Sequence, residues 1–148
     1  MILFLDFDGV LHPEPCFDQT MLFCFLPRLE SVLRDYPQIK IVISSTWRES
    51  RSLRELQNLF SVDIAQRVIG VTPCWRDYPE LFEINGYQRH TEVLTWIRCS
   101  DEPWVKWIVL DDKPFLFKPF LNNLVRTQSA IGFDSTAESQ LRSLIQEI

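Results

Sequence analysis

Ile2-Leu3-Phe4-Leu5-Asp6-Phe7-Asp8-Gly9-Val10 decides how this chain is read. Four apolar residues without a polar interruption describe a strand buried on both faces, and two aspartates follow where the strand runs out. In extended chain, residues two apart point the same way, so Asp6 and Asp8 begin on a common side, and Gly9 allows a sharp turn just beyond them. In an open parallel sheet, ligands bind outside the carboxyl ends of the strands, which is where this pair would sit. The competing reading is a strand followed by an ordinary acidic turn, since Asp and Gly are also common turn residues.

Working outward, 148 residues suffice for one domain spanning 1–148, burying roughly 70% of the surface of its unfolded chain. Fifteen basic against twenty acidic residues give a net charge of −5, so no global field draws in nucleic acid or an anionic membrane, and phosphate recognition must be local. There is no signal-peptide pattern and no apolar run of the ~20 residues a membrane span requires, so the expected location is cytoplasmic, with no membrane partner. Cys16, Cys24, Cys74 and Cys99 form no Cys-x-x-Cys and have no histidine grouping nearby; they read as reduced, mostly packing thiols.

After Gly9, Pro13 and Pro15 stiffen a loop, and His12 beside them reads as a loop-packing residue. A helix opening at Pro27 and ending near Pro37 would turn Leu29, Val32 and Leu33 inward. The β-branched run 39–43 is a second strand, and Ser44-Ser45-Thr46-Trp47-Arg48 follows it. A helix over about 50–60 comes next, whose N-terminus would be both capped by hydroxyls and suited to phosphate. Arg48, Arg51 and Arg54 would share one side of it, with Arg48 nearest the strand end. Residues 68–71 make a third strand, 72–87 a long loop without period, and 89–98 a helix with Val93, Leu94 and Ile97 inward. Strand 105–110 runs into Asp111-Asp112-Lys113-Pro114, a second acidic pair at a strand end. A short strand 124–126 and a final helix complete the chain, the helix opened by a Ser135/Glu138 capping box and striped by Leu141, Leu144, Ile145 and Ile148.

Alternating strands and helices predict an α/β fold: a single Rossmann-like, three-layer domain with a mostly parallel five-stranded sheet and no large cap domain. Such a sheet would gather Asp6, Asp8, Asp111 and Asp112, although two carboxylates about 4 Å apart repel by about 4 kcal/mol at an effective dielectric near 20. The cluster therefore needs a cation or protons. Oxygen donors without histidine or thiolate suit a hard ion, Mg²⁺ before Ca²⁺. Around such an ion one carboxylate can attack phosphorus while another moves a proton to or from the leaving group and water.

Asp6-Phe7-Asp8-Gly9-Val10 resembles the first motif of the haloacid dehalogenase (HAD) superfamily of phosphatases and phosphotransferases. The hydroxyl after the second strand and the acidic pair after the fourth are similar, in order and spacing, to its second and fourth motifs. Small bacterial and phage members, some of them domains of RNA-repair proteins, share Asp-Phe-Asp-Gly-Val-Leu-His, Ser-Ser-x-Trp-Arg and an Arg-x-x-Glu helix start. The resemblance implies that Asp6 is the nucleophile and a magnesium ligand. It implies that Asp8 is the general acid/base, reaching the metal through its main-chain carbonyl, and that Asp111 and Asp112 complete the site. Ser45 would hold the transferred phosphoryl group, with Ser44 as the alternative one residue earlier. Ser44, Thr46, Arg48 and Lys113 are the further candidates for phosphate contacts. The family places a lysine near the start of the helix before the fourth motif, where this chain offers Arg89; Lys113 is the substitute charge. A second aspartate points away from dehalogenation, whose leaving halide needs no proton.

The implied function is a Mg²⁺-dependent phosphatase that forms an aspartyl phosphate on Asp6. Its open, capless site would suit a phosphorylated substrate such as a nucleic-acid end or a nucleotide. The alternative is a phosphate-binding or regulatory domain with little turnover, for which the absent third-motif lysine is the best argument.

Overall fold

Residues 1–147 are described by a computed structural model; the expected place of Ile148 on the last helix lies outside them. Five parallel strands, β1 (Ile2–Leu5), β2 (Lys40–Ile43), β3 (Val68–Val71), β4 (Trp107–Asp111) and β5 (Leu124–Arg126), form one sheet in the order β3-β2-β1-β4-β5. The chain moves outward from β1 through β2 and β3, then returns to lay β4 on the other side of β1. The topological switch point therefore falls between β1 and β4, where open parallel sheets offer a crevice at their carboxyl ends.

The three central strands β1, β2 and β4 are buried on both faces because alternate side chains serve two cores. Leu3, Leu5, Ile41, Ile43, Ile108 and Leu110 pack beneath α1 (Leu26–Asp35), α2 (Leu53–Gln57), α3 (Val62–Ala65) and α6 (Ser135–Glu147). Ile2, Phe4, Val42 and Val109 face α5 (Gln88–Cys99) through Val93 and Ile97. This gives the three-layer α/β domain expected from the sequence, with the sheet wholly parallel. No described helix is long and apolar enough to cross a membrane.

The structure departs from the sequence reading in four places. Of the helix expected over 50–60 only the five residues of α2 form, with a 3₁₀ turn Thr46–Glu49 before it and the separate α3 after it. Ser52 and Glu55 build a reciprocal capping box that starts α2 afresh, and Glu30 reaches across from α1 to accept from the Ser61 N–H and hydroxyl at 2.7 and 2.6 Å. Arg48, Arg51 and Arg54 consequently do not share a helix face. Residues 72–87 contain a 3₁₀ turn Trp75–Asp77 and the helix α4 (Pro79–Asn85), begun by Pro79 and ended by Gly86 at φ 74°. Proline at a helix start and glycine at its end are themselves the punctuation of a short helix. Strand β4 begins two residues later than expected and includes Asp111. The last helix is capped by Asp134, whose Oδ1 accepts from the Ala137 N–H at 2.9 Å, while Glu138 pairs instead with Arg28 and Arg142.

Arg67 ties the far end of the sheet together by donating to the carbonyls of Leu33, Ile39 and Tyr36 at 2.7 to 2.8 Å. It joins the end of α1 to the starts of β2 and β3. Arg67→Met should lower unfolding stability by about 1 to 3 kcal/mol, because three carbonyls lose a charged donor. A urea titration checks this, and an unchanged midpoint would show that water replaces the guanidinium without loss.

Candidate active site

The register of the sheet sets the site. Leu5 is paired with Ile43 on one side and Leu110 on the other, so the next residues, Asp6, Ser44 and Asp111, lie level across three adjacent strands. The ladder still holds there: Asp6 N–H donates to Leu110 O at 3.0 Å and Ser44 N–H to Leu5 O at 2.9 Å. By strand alternation all three continue the face of Phe4, Val42 and Val109, the face covered by α5. Asp112 joins them from the following loop, and oxygens of Asp6, Asp111 and Asp112 lie within 4.8 Å of one another, all three residues buried. Gly9 makes room for this approach: at φ 71° it has no Cβ, and one placed there would lie 2.6 Å from the Asp112 carboxyl carbon.

Polar groups converge on these carboxylates. Phe7 N–H donates to Asp6 Oδ1 and Lys113 N–H to Asp111 Oδ1, both at 2.8 Å; the Ser129 hydroxyl donates to Asp112 Oδ2 at 2.6 Å. Arg89, one turn ahead of Val93 on α5, brings Nη1 to 2.9 Å from Asp111 Oδ2 and 3.5 Å from Asp6 Oδ2, with Nε 3.5 Å from Glu92. One guanidinium does not balance the group. Burial, then the Asp6 charge, push the Asp111 carboxyl from the ordinary 3.8 up to about 7 against the pull of Arg89. Burial likewise raises Asp112, opposed by the Ser129 hydrogen bond and Lys113. Asp112 Oδ1 is buried with no hydrogen-bond partner among the described residues.

These observations fit a hard cation. Three buried carboxylates supply only oxygen, one oxygen of Asp112 lacks a hydrogen bond among the described residues, and the carboxyls of Asp111 and Asp112 are raised toward the protonated form. Asp6, Asp111 and Asp112 are the residues that would hold it.

Asp8 is not in this group. The strand has ended by then, and the turn through residues 7–12, closed by Leu11 N–H to Phe7 O at 2.8 Å, swings its side chain outward. His12 Nε2 lies 2.9 Å from Asp8 Oδ1, and the Trp47 indole N–H spans both oxygens at 3.2 and 3.0 Å. The His12 hydrogen bond, against the effect of burial, leaves the Asp8 carboxyl below its usual range. The common side expected for Asp6 and Asp8 is thus lost within two residues. Any contribution of Asp8 to an ion falls to its main-chain carbonyl.

The remaining candidates separate. Ser44 Oγ is buried and unpartnered, whereas Ser45 Oγ faces the Trp47 N–H at 3.5 Å as the cap of the 3₁₀ turn. Thr46 is exposed. Arg48 is a brace: Nε donates to Thr72 O, Nη1 to Ser44 O and Ser45 O, and Nη2 to Pro73 O and Glu92. All five of its donors are engaged, which leaves none for a phosphate. Lys113 Nζ sits 2.7 Å from Glu14 and 3.8 Å from Asp112; burial would lower its pKa, but Glu14 and Asp112 outweigh it and raise the group. Beside Arg89, a cavity of about 100 Å³ opens between Thr46, Trp75, Arg76 and Gln88. Sequence reasoning missed Trp47, Glu92 and Ser129 as parts of the site and read His12 as packing. Trp47 and Glu92 stand in the quoted Ser-Ser-x-Trp-Arg and Arg-x-x-Glu motifs without a role assigned to them, and the spacing of Asp8 and His12 hinted at their contact.

A family model described as the HAD domain in Swiss Army Knife RNA repair proteins matches residues 2–137. No curated protein and no solved structure gave a significant match.

The raised Asp111 carboxyl makes a pH prediction for the metal-free protein. Between its unfolded value near 3.8 and about 7 when folded, the native state binds one more proton than the unfolded chain. Stability should therefore fall as pH rises from about 4 to 7, by at most about 1.4 kcal/mol per unit from this group, and level off above. Asp111→Asn should flatten the fall in chemical denaturation at pH 5, 6, 7 and 8. A slope unchanged by the substitution would place the proton elsewhere.

Proposed function

This chain belongs to the family of HAD domains found in Swiss Army Knife RNA repair proteins, which supports a HAD-type hydrolase in general; on that premise we propose a Mg²⁺-dependent phosphomonoesterase working through an aspartyl phosphate on Asp6. The observation that carries the reading is the level row of Asp6, Ser44 and Asp111, with Arg89 across it and an orphaned Asp112 oxygen beside it.

Asp6 attacks phosphorus, and the bond to the leaving oxygen breaks as Asp8, protonated from solvent in the complex because the bound phosphate dianion beside it disfavours a further negative charge, gives that oxygen a proton. Water then attacks the same phosphorus while Asp8 takes its proton, the Asp6–phosphoryl bond breaks, and both carboxyl groups return to their starting states. The unpartnered Ser44 hydroxyl and Nη2 of Arg89, which none of its ion pairs uses, would hold phosphoryl oxygens. Ser44 is therefore preferred over Ser45 for this role. Bound Mg²⁺ would offset the carboxylate charge and polarise the phosphoryl group.

The segments between the motif strands hold short helices and turns rather than an inserted domain. A phosphate at the end of a bulky molecule can therefore approach, and with the family's description this favours a nucleic-acid end. The second reading, phosphate binding with little turnover, draws on the Arg89–Asp111 ion pair, which occupies part of the space a cation would need.

Phosphate release from 5′- and 3′-phosphorylated oligonucleotides, nucleotides and an aryl phosphate, with and without Mg²⁺, separates the two. Wild type should release phosphate only with Mg²⁺, and Asp6→Asn should abolish it. Ser44→Ala should lose about 10- to 100-fold, with Ser45→Ala close to wild type. A wild type no faster than Asp6→Asn on every substrate would leave the binding reading in possession.

A further inference from the structure

The side chain of Asp8 is gripped more closely than a solvent-facing acid needs to be. Oδ1 receives two N–H groups, from His12 Nε2 at 2.9 Å and Trp47 Nε1 at 3.2 Å, whereas Oδ2 receives only the indole N–H, at 3.0 Å. The tautomer follows from the far side of the imidazole. Nδ1 of His12 faces the backbone N–H of Phe23 at 3.4 Å, so Nδ1 is the acceptor and Nε2 carries a hydrogen. Indole nitrogen is a donor only. Neither contact can take a proton from Asp8, and Oδ1 already receives two donors. The remaining open lone pair is on Oδ2.

The grip is itself held. His12 is 1% exposed, with the Phe23 ring edge-on at 5.2 Å and Trp47 at 6.0 Å; Phe23 and Trp47 meet at 5.1 Å, and Phe7 and Trp47 at 5.8 Å. Phe23 adopts φ 59°, a conformation a bulky residue holds only where its surroundings fix it. Arg51 lies over the outer face of Trp47 at 4.4 Å. The turn carrying Asp8 and His12 is tied at Gly9 O by the Thr127 hydroxyl, at Val10 O by Phe133 N–H and at Leu11 O by Phe25 N–H. A rigid aromatic setting of this kind fixes a carboxylate's direction, which proton transfer requires.

Resting on the phosphatase reading above, we propose that His12 and Trp47 are positioning residues that hold the Asp8 carboxylate out of the acidic cluster and make Oδ2 the atom that passes the proton to the leaving oxygen. Oδ2 loses that proton as the phosphorus–oxygen bond breaks, and regains one from the attacking water in the next step. Neither His12 nor Trp47 changes protonation. Their effect should therefore appear only where the leaving group needs a proton.

The test reads the transfer step alone, with enzyme in excess over substrate, Mg²⁺ present, and release of the alcohol or phenol followed rather than phosphate. Benzyl phosphate has a leaving group that must be protonated; 4-nitrophenyl phosphate has one that leaves as the anion. Asp8→Asn sets the scale for complete loss of the acid. Trp47→Phe, which keeps a ring and removes the N–H, and His12→Leu should slow benzyl alcohol release by about 10-fold or more, with 4-nitrophenolate release within about 3-fold of wild type. His12→Gln, which can return a donor near Nε2, should recover most of the loss. Equal losses on both substrates, or none on either, would overturn the positioning role while leaving the phosphatase reading intact. A wild type that releases neither product, and no phosphate from the oligonucleotides and nucleotides above, would remove that reading and this one with it.

Discussion

Three carboxylates crowded into a buried pocket repel one another, and much of the surrounding structure is arranged to tolerate them. Asp6, Asp111 and Asp112 sit within reach of a single ion, and burial raises the carboxyls of Asp111 and Asp112. The compensation is local and directional: the main-chain N–H groups of Phe7 and Lys113, the Ser129 hydroxyl, and one guanidinium laid across two of the three acids. That compensation is incomplete, and the three carboxylates form a group that could hold a metal ion. This link between an unfavourable native arrangement and a functional capacity is common where stability is given up for chemistry.

Holding the arrangement requires precision beyond the pocket. Arg48 joins the carbonyls after β2 and β3 to Glu92 on α5, and Arg89 shares the same glutamate. Two arginines, one glutamate, four backbone carbonyls and the carboxylates of Asp6 and Asp111 thus fasten the helix to the ends of the strands. Burial raises the Glu92 carboxyl against the opposing pull of both arginines. The aromatic cluster of Phe7, Phe23 and Trp47 does for Asp8 what this brace does for Asp6 and Asp111. The two aspartates of one short motif are thereby given unlike surroundings, which is how one residue type can serve two chemical roles.

The main architecture was legible in the chain because burial on both faces leaves an uninterrupted apolar run, as in 2–5 and 40–43, and acidic or hydroxyl residues mark where such a run stops. The expected strands were all found, with their order of chemistry along the chain. What was misplaced was short. Residues 50–60 have helical spacing throughout, yet the Ser52 cap delays the start of α2 and the reach of Glu30 to Ser61 begins a new helix just beyond, the second of these coming from a distant helix. Arg48 read as a free cation beside a strand end because nothing local shows that its donors meet the carbonyls of Thr72 and Pro73.

By itself the sequence determined the parallel α/β class, the gathering of acidic strand ends and the choice of oxygen donors, since these follow from side-chain type and period. Tertiary structure alone decided which hydroxyl lies level with Asp6, because a one-residue register separates Ser44 from Ser45. It also decided that Asp8 turns away, since that depends on a turn tied to residues more than a hundred positions later. Ser129 and Glu92 entered the site on the same ground. The Ser129–Asp112 and Arg48–Glu92 contacts join residues far apart in the chain, and no local pattern carries the distance between strands that only packing brings together.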